Sequence, residues 1–562
     1  MKWREVEHGH PTGIAVVGAG VGGCYTAYRL AGTAALASVP HGSPVTLYER
    51  THRTGGRIWS VGLNAGCGGW AELGAMRLHR QATSVMDLLD HIGLSASLVP
   101  FAFGRDENLA HVRGALLRQR QLHDAEADLP YRLRPAERGR GPDALELSAI
   151  EKAIPGFGRL RDAYHRAAQD GQGSQARLHT HTYRAMRDVA TVHGQPLHKT
   201  SWNTVLEAAL SSEATQFIND TAGYDIHSGN ASAWIDTLFH TPPQAEYVTL
   251  SNGMQSLPTA LHTAFQSAGG TTRLGHRLCR IERTEPSART PRRAPVYTLT
   301  FALEDRAGRD TGERVQTRAH TVVLALPQGA LRQLEGTTRL CTPRLRRDLD
   351  AVEAVPALKL FLAYAEPWWR KHGLTLGRST TDTPLRHLWY GGTTPQPETE
   401  GNAGSGGNAG TNGPALLLAA YPNGPSAAYW NRFCDGPRYT GDGKFHTFHE
   451  TAPRPSVALV EHAHELLCAM HRTRTPPPVA ACWQNWNHAP HAGAWHLWRP
   501  DRHPETIAAR MRNPAPGEAV HIVSDCWTSD PGSIPGVLDS AERVLQDHFG
   551  LAPPPWHRRP TP

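Results

Sequence analysis

Three groups of residues in this chain could do chemistry. The first is Gly18-Ala-Gly-Val-Gly-Gly23, where Gly18, Gly20 and Gly23 fit G-x-G-x-x-G. In such a turn Gly18 makes the bend, Gly20 lets the backbone approach a pyrophosphate, and Gly23 lets helix and strand pack closely. The second is Glu49, which closes the segment Val45-Thr-Leu-Tyr48. A carboxylate there can accept bonds from both hydroxyls of a ribose. The third is Lys359, alone in Ala354-Val-Pro-Ala-Leu-Lys-Leu-Phe-Leu-Ala-Tyr364. An ammonium in so apolar a strand is partnered or loses its charge. The first two groups predict a dinucleotide site.

The elements that must hold these residues can be read from periodicity. Ile14 to Val17 is a short, β-branched run, as expected of a strand buried on both faces, and Ala27 and Leu30 continue at helical spacing after the glycines. The distance from Gly23 to Glu49 exceeds the usual ~20 residues. An Ala-rich helix and the 39–44 loop absorb the excess. Ser84 to Gly93 reads as an amphipathic helix with a glycine stop. Strands are expected between Leu98 and Leu122, with a hairpin around His111–Leu117, and helical spacing prevails from about 129 to 220. Tyr247–Leu261 reads as strand, glycine turn and helix. Thr321–Pro327 has the character of a central parallel strand, Glu518–Asp525 is the last strand, and Pro531 begins the last helix. Thr393–Pro414 is Gly/Asn/Thr-rich, too biased to pack, and reads as an exposed insertion in a hairpin that Ala415 resumes.

A chain of 562 residues is too long for one core, so two or three domains are expected. The net charge of +7 comes from arginine spread throughout. Without a basic stripe interleaved with aromatics, nucleic acid is not the expected partner, and an anionic or zwitterionic small molecule suits the surface better. The eight cysteines form no C-x-x-C pair, which argues against a disulfide scaffold or zinc site. His464-Glu465 lacks the second histidine of a metalloprotease, since Cys468 stands there; no metal is expected. The first residues lack the apolar core of a signal peptide, and no run of 18 apolar residues occurs. A soluble, cytoplasmic protein without a membrane partner is expected.

Arg53-Thr-Gly-Gly-Arg-Ile-Trp59, Glu72-Leu-Gly-Ala-Met-Arg-Leu78 and Gly377-Arg-Ser-Thr-Thr-Asp-Thr-Pro-Leu-Arg386 narrow the cofactor. Here the chain resembles the flavin amine oxidase family, in particular the L-amino acid oxidases and tryptophan 2-monooxygenases, in blocks from Ile14 to about Leu551. The resemblance implies an α/β fold. A Rossmann-like FAD-binding domain with a doubly wound sheet would comprise 1–76, 246–335 and 515–562. A mixed-sheet substrate domain would take 77–128 and 336–514, and a helical insertion 129–245. It carries non-covalent FAD to Gly18, Gly20, Gly22, Gly23, Glu49, Arg50, Gly56, Arg57, Gly74, Ala75, Met76, Arg77, Leu278, Trp486, Asp525, Ser533 and Ile534. Asp525 and Ser533 are departures, replacing the family's usual glutamate and tryptophan.

By the same resemblance Lys359 would hold a water against flavin N5, and Arg77 and Tyr390 would grip a substrate carboxylate. Trp389 is the neighbour that could be confused with Tyr390. Gly493 would leave room for substrate, while Trp495, His496 and Ser533 would shape the pocket. The implied reaction is hydride transfer from the Cα of a bulky or aromatic L-amino acid to FAD. The imino acid hydrolyses to a 2-oxo acid and ammonia, and O2 is reduced to H2O2. A decarboxylating L-amino acid 2-monooxygenase giving an amide and CO2 is the alternative. A flavin-binding protein without turnover is a third reading. No base is assigned, His227 and His496 being bystander candidates, and a homo-oligomer is compatible with all three.

Overall fold

The structure is a computed structural model that describes residues 2–3, 12–32, 45–62, 69–284, 296–336, 342–391, 415–441, 448–449, 451–487 and 493–557. The 39–44 loop and the Thr393–Pro414 insertion lie outside the described residues.

The apolar run after Gly13 is a strand, Thr12–Val17, because both its faces are covered. Ile14 and Val16 enter one core with Leu257, Phe265 and Leu538. Ala15 and Val17 enter another with Phe301, Met511 and Trp527. Thr12–Val17 sits within a nine-stranded sheet, between Val45–Tyr48 and Asp310–Leu324 and parallel to both. Val520–Ile522 and Thr271–Arg273 extend the parallel part. Beyond Asp310–Leu324 the sheet turns antiparallel through Val296–Glu304 and His276–Thr284. The antiparallel pairing stops at Ala319, and Thr321–Leu324 lies between Ile14–Val17 and Val520–Ile522, parallel to both, as expected of a central parallel strand. Tyr247–Leu250 pairs with Leu78–His79 and Leu98–Pro100 in a small sheet, while Val248 and Leu250 bury into the core that also holds Ile14 and Val16.

A second sheet of seven strands carries Lys359. Its order is Ala480–Asn485, Leu358–Tyr364, Ala415–Ala420, His387–Tyr390, Gly377–Thr381, Leu109–Val112 and Ala115–Arg118. Alternation along these strands makes two faces. Leu358, Leu360, Leu388, Tyr390 and Leu417 bury into one core. Phe361, Trp389, Leu416 and Leu418 bury into the other, together with Met76 and Phe101. Residues 129–245 contribute six helices, from Pro142–Ala153 to Ala231–His240, around a separate core centred on Phe157, Tyr183, Trp202 and Phe239.

Candidate active site

The helix Val21–Ala31 starts at Gly20 with no side-chain cap, which leaves its first N–H groups available to an anion. A Cβ on Gly23 would fall 1.8 Å from the Gly18 carbonyl oxygen, and one on Gly22 would fall 2.5 Å from Val537 Cγ2. A Cβ on Gly20 would meet nothing nearer than Gly56 Cα at 4.0 Å. Gly22 and Gly23 are thus packing glycines, and Gly20 is the one that leaves space. Glu49 braces the turn, accepting the Ala19 N–H at 2.8 Å and the Thr51 N–H and hydroxyl at 2.8 Å each.

From this turn a cavity of about 430 Å³ runs to the second sheet. Gly18, Gly20, Gly22, Gly23, Glu49, Arg50, Gly56, Arg57 and Leu278 line one end; Gly74, Ala75, Arg77, Lys359 and Trp486 line the other. Asp525, Ser533 and Ile534 line it where the last helix begins. Ser533 is the N-cap of that helix, its Oγ accepting the Gly536 N–H at 2.9 Å. Arg57 forms an ion pair with Asp525 and donates to the Ala494 carbonyl at 2.9 Å. Burial opposes the charge on Asp525, but Arg57 and His496 together with hydrogen bonding outweigh it and hold the carboxyl below its ordinary range. Arg50 is paired with Glu304 at 2.7 Å. An elongated groove with an open glycine turn and an uncapped helix start at one end, and Glu49 in its lining, fits FAD.

Lys359 is buried at the far end. Its Nζ donates to the carbonyl oxygens of Glu72 at 3.0 Å and Gly74 at 2.6 Å, and lies 4.7 Å from the Tyr421 ring centre. Desolvation pushes its pKa down to about 7, against the pull of Glu72. The buried Glu72 carboxyl is pushed up to about 7 by desolvation, although it accepts the Met254 N–H and the Ser60 hydroxyl. Arg77 Nη2 donates to Tyr224 Oη at 3.2 Å, and its guanidinium lies over Phe103 and Tyr247. Among the described residues no carboxylate pairs with it.

Five expected residues lie outside the cavity lining. Tyr390 is on the opposite face of the sheet from Phe361 and Trp389, its hydroxyl bonded to Ser379 Oγ and His471 Nε2 at 2.8 Å each. Trp389 and Met76 are core residues behind the site. Gly493 is small because of Ala354, whose Cβ would be 2.7 Å from an added Cβ. His496 is buried against Cys526, its Nδ1 3.3 Å from Sγ. His227 does not line the cavity either.

The tyrosines that do face Arg77 were not among the expected residues. Tyr421 follows the strand Ala415–Ala420, and Tyr224 follows Gly223 at the end of the helix Ser212–Ala222. Gly223 is needed twice over: its φ is +80°, and a Cβ would overlap His387 Nε2. Tyr224 packs edge-on to Tyr421 at 6.1 Å and to Trp495 at 6.4 Å. Trp234 and Ile226, from the helical block, complete this end. The only signals were a glycine stop and an aromatic after an apolar strand, both too common to single out.

The family model for flavin-containing amine oxidoreductases matches residues 23–547. The chain belongs to this family. As a flavin amine oxidase it is 25% identical to aplysianin-A of Aplysia kurodai, over 95% of this chain and 90% of that one. It is 24% identical to an L-amino-acid oxidase of Echis ocellatus, over 68% of this chain and 65% of the snake protein. Putrescine oxidase bound to putrescine superposes with a TM-score of 0.60 at 16% identity, covering 96% of this chain and 99% of that one. Cyclohexylamine oxidase from Brevibacterium oxydans IH-35A superposes at 0.59 and 17% identity, covering 96% and 98%. These likenesses establish the fold of a flavin oxidoreductase of this family.

Proposed function

We propose that this flavin oxidoreductase is an L-amino acid oxidase. The observation that carries the reading is Arg77, a guanidinium on the wall that also bears Lys359 and Trp486, with no carboxylate of the protein to pair it among the described residues. An amine oxidase acting on a simple amine has no use for such a cation, whereas an α-carboxylate supplies its counter-ion through two parallel bonds. The relatives named as L-amino-acid oxidases support the same choice.

In this reading Arg77 and the phenols of Tyr224 and Tyr421 hold the carboxylate and so fix the orientation of Cα. Burial raises the pKa of Tyr421, which keeps it a neutral donor. FAD in the cavity would supply a two-electron acceptor that O2 can reoxidise, so that the products would be H2O2 and an imino acid that hydrolyses to a 2-oxo acid and ammonia. Orientation of this kind is a main source of rate. Lys359 holds its proton, or a water, between the Glu72 and Gly74 carbonyls and the cavity. The walls from Tyr224, Ile226, Trp234 and Trp495 favour a bulky, apolar or aromatic side chain. Non-covalent FAD and a cytoplasmic location belong to the same reading.

The test is anaerobic. The yellow protein mixed with an aromatic L-amino acid should bleach and recolour in air, while the amine lacking the carboxylate should bleach it far more slowly. Equal rates with both would overturn the assignment, and an amide product would replace it with the decarboxylating monooxygenase.

A further inference from the structure

Phe103 carries two guanidiniums, not one. Arg77 Cζ lies 4.8 Å from its ring centre and Arg378 Cζ lies 4.5 Å from the same centre. Arg378 belongs to the strand Gly377–Thr381 and stands across the ladder from Trp389, whose ring centre is 6.0 Å away. Its side chain makes no hydrogen bond or ion pair among the described residues. Other poorly exposed arginines have partners: Arg29 pairs with Glu542 and Arg187 with Asp236, while Arg53 and Arg386 donate to backbone carbonyls. Arg378 has neither kind of partner among the described residues and shares its ring with a second cation. Burial disfavours the charge on Arg378, and Arg77 adds to that, against the pull of Tyr224. Guanidinium nevertheless stays ionised in proteins. Arg378 is half-buried, as Arg77 is, and its charge feels both the cavity-lining Tyr224 and the exposed Asp143, so it acts on the cavity from just beyond its lining.

We propose that Arg378 is a specificity-determining residue: with Arg77 it forms a two-cation filter that rejects substrates with a positively charged side chain and favours those ending in a carboxylate. This rests on the L-amino acid oxidase reading. The α-carboxylate neutralises Arg77 alone, and Arg378, on the ring it shares with Arg77, keeps a charge whose field acts on whatever the side chain brings. A neutral side chain is tolerated by the aromatic walls. A carboxylate becomes the missing counter-ion, and an ammonium meets like charge in a site of low polarity.

The experiment is rapid-mixing flavin reduction with two nearly isosteric pairs, L-lysine against L-norleucine and L-glutamate against L-glutamine, at fixed pH and ionic strength. In the native enzyme kcat/KM for lysine should fall at least about tenfold below norleucine, and glutamate should equal or exceed glutamine. Arg378→Gln should raise the lysine ratio and lower the glutamate ratio, while Arg378→Lys should preserve both. The proposal is overturned if native enzyme takes lysine as well as norleucine, or if Arg378→Gln changes all four substrates by one factor, as a packing role would. The native ratios and those of Arg378→Lys decide even if Arg378→Gln does not fold. If no L-amino acid reduces the flavin, the oxidase reading falls with it; if norleucine does and charge makes no difference, only the filter falls.

Discussion

Arg77→Met separates a substrate clamp from a structural arginine. The side chain gives the fold one hydrogen bond, to Tyr224 at 3.2 Å, and two ring contacts with Phe103 and Tyr247. Methionine fills similar volume and keeps contact with both rings. The loss is a cation–π term of about 0.5–1 kcal/mol, offset by removing a charge that has no counter-ion. Thermal stability and flavin content should therefore hardly change. Catalysis should change greatly, because hydrogen bonds to charged groups contribute about 1.5–3 kcal/mol each. Two such bonds, partly replaced by Tyr224 and Tyr421, correspond to a fall in kcat/KM of about 10²–10³. Arg77→Lys keeps the charge but not the planar fork and should fall between. The assay is anaerobic flavin reduction by an L-amino acid and by the amine that lacks its carboxylate. The reasoning fails if Arg77→Met keeps kcat/KM for the amino acid within about threefold. It also fails if the amine loses as much as the amino acid.

Other perturbations separate space from packing and charge from proton. Gly20→Ala should fold normally yet bind FAD about tenfold or more weakly, because its Cβ enters the cavity; Gly23→Ala, with its Cβ 1.8 Å from a carbonyl oxygen, should fail to accumulate as folded protein. Absorbance at the flavin band and a melting curve read both. Lys359→Met should slow the return of electrons to O2 more than flavin reduction. In the native enzyme that step should slow as pH rises through about 7, where Lys359 loses its proton, and in the variant this dependence should vanish. Glu72 has a folded-state pKa raised from 4.5 to about 7. Its contribution to stability is thus complete below 4.5 and lost as pH rises through about 7. Glu72→Gln should leave the melting temperature near native at pH 5 and raise it at pH 8, by an amount worth about 3 kcal/mol or less. A variant less stable than native at pH 8 would refute this.

What could be read from the sequence was whatever is local. The glycine turn, Glu49 and the strand before them form a contiguous unit whose φ, spacing and burial leave few alternatives. Lys359 stood out because one cation among apolar neighbours is visible without knowing its partners. Arg77, Gly74 and Ala75 came by resemblance in one short block; these three line the cavity, while Met76 among them turns into the core.

The tyrosines show the limit. His387-Leu-Trp-Tyr390 is buried throughout, so no polar position marks which face is which, and a shift of one residue exchanges the faces. Pairing with Ala415–Ala420 and Gly377–Thr381 decides it, sending Tyr390 to Ser379 and His471. The phenols beside Arg77 come from positions 197 residues apart, 224 and 421, on a helix end and a strand end that meet only when the helical block packs on the second sheet. The filter formed by Arg77 and Arg378 on Phe103 has the same origin. Charge and chemistry were written in the residues, whereas neighbours distant in sequence, and therefore the shape of the substrate end, were set by strand register and by the docking of one core against another.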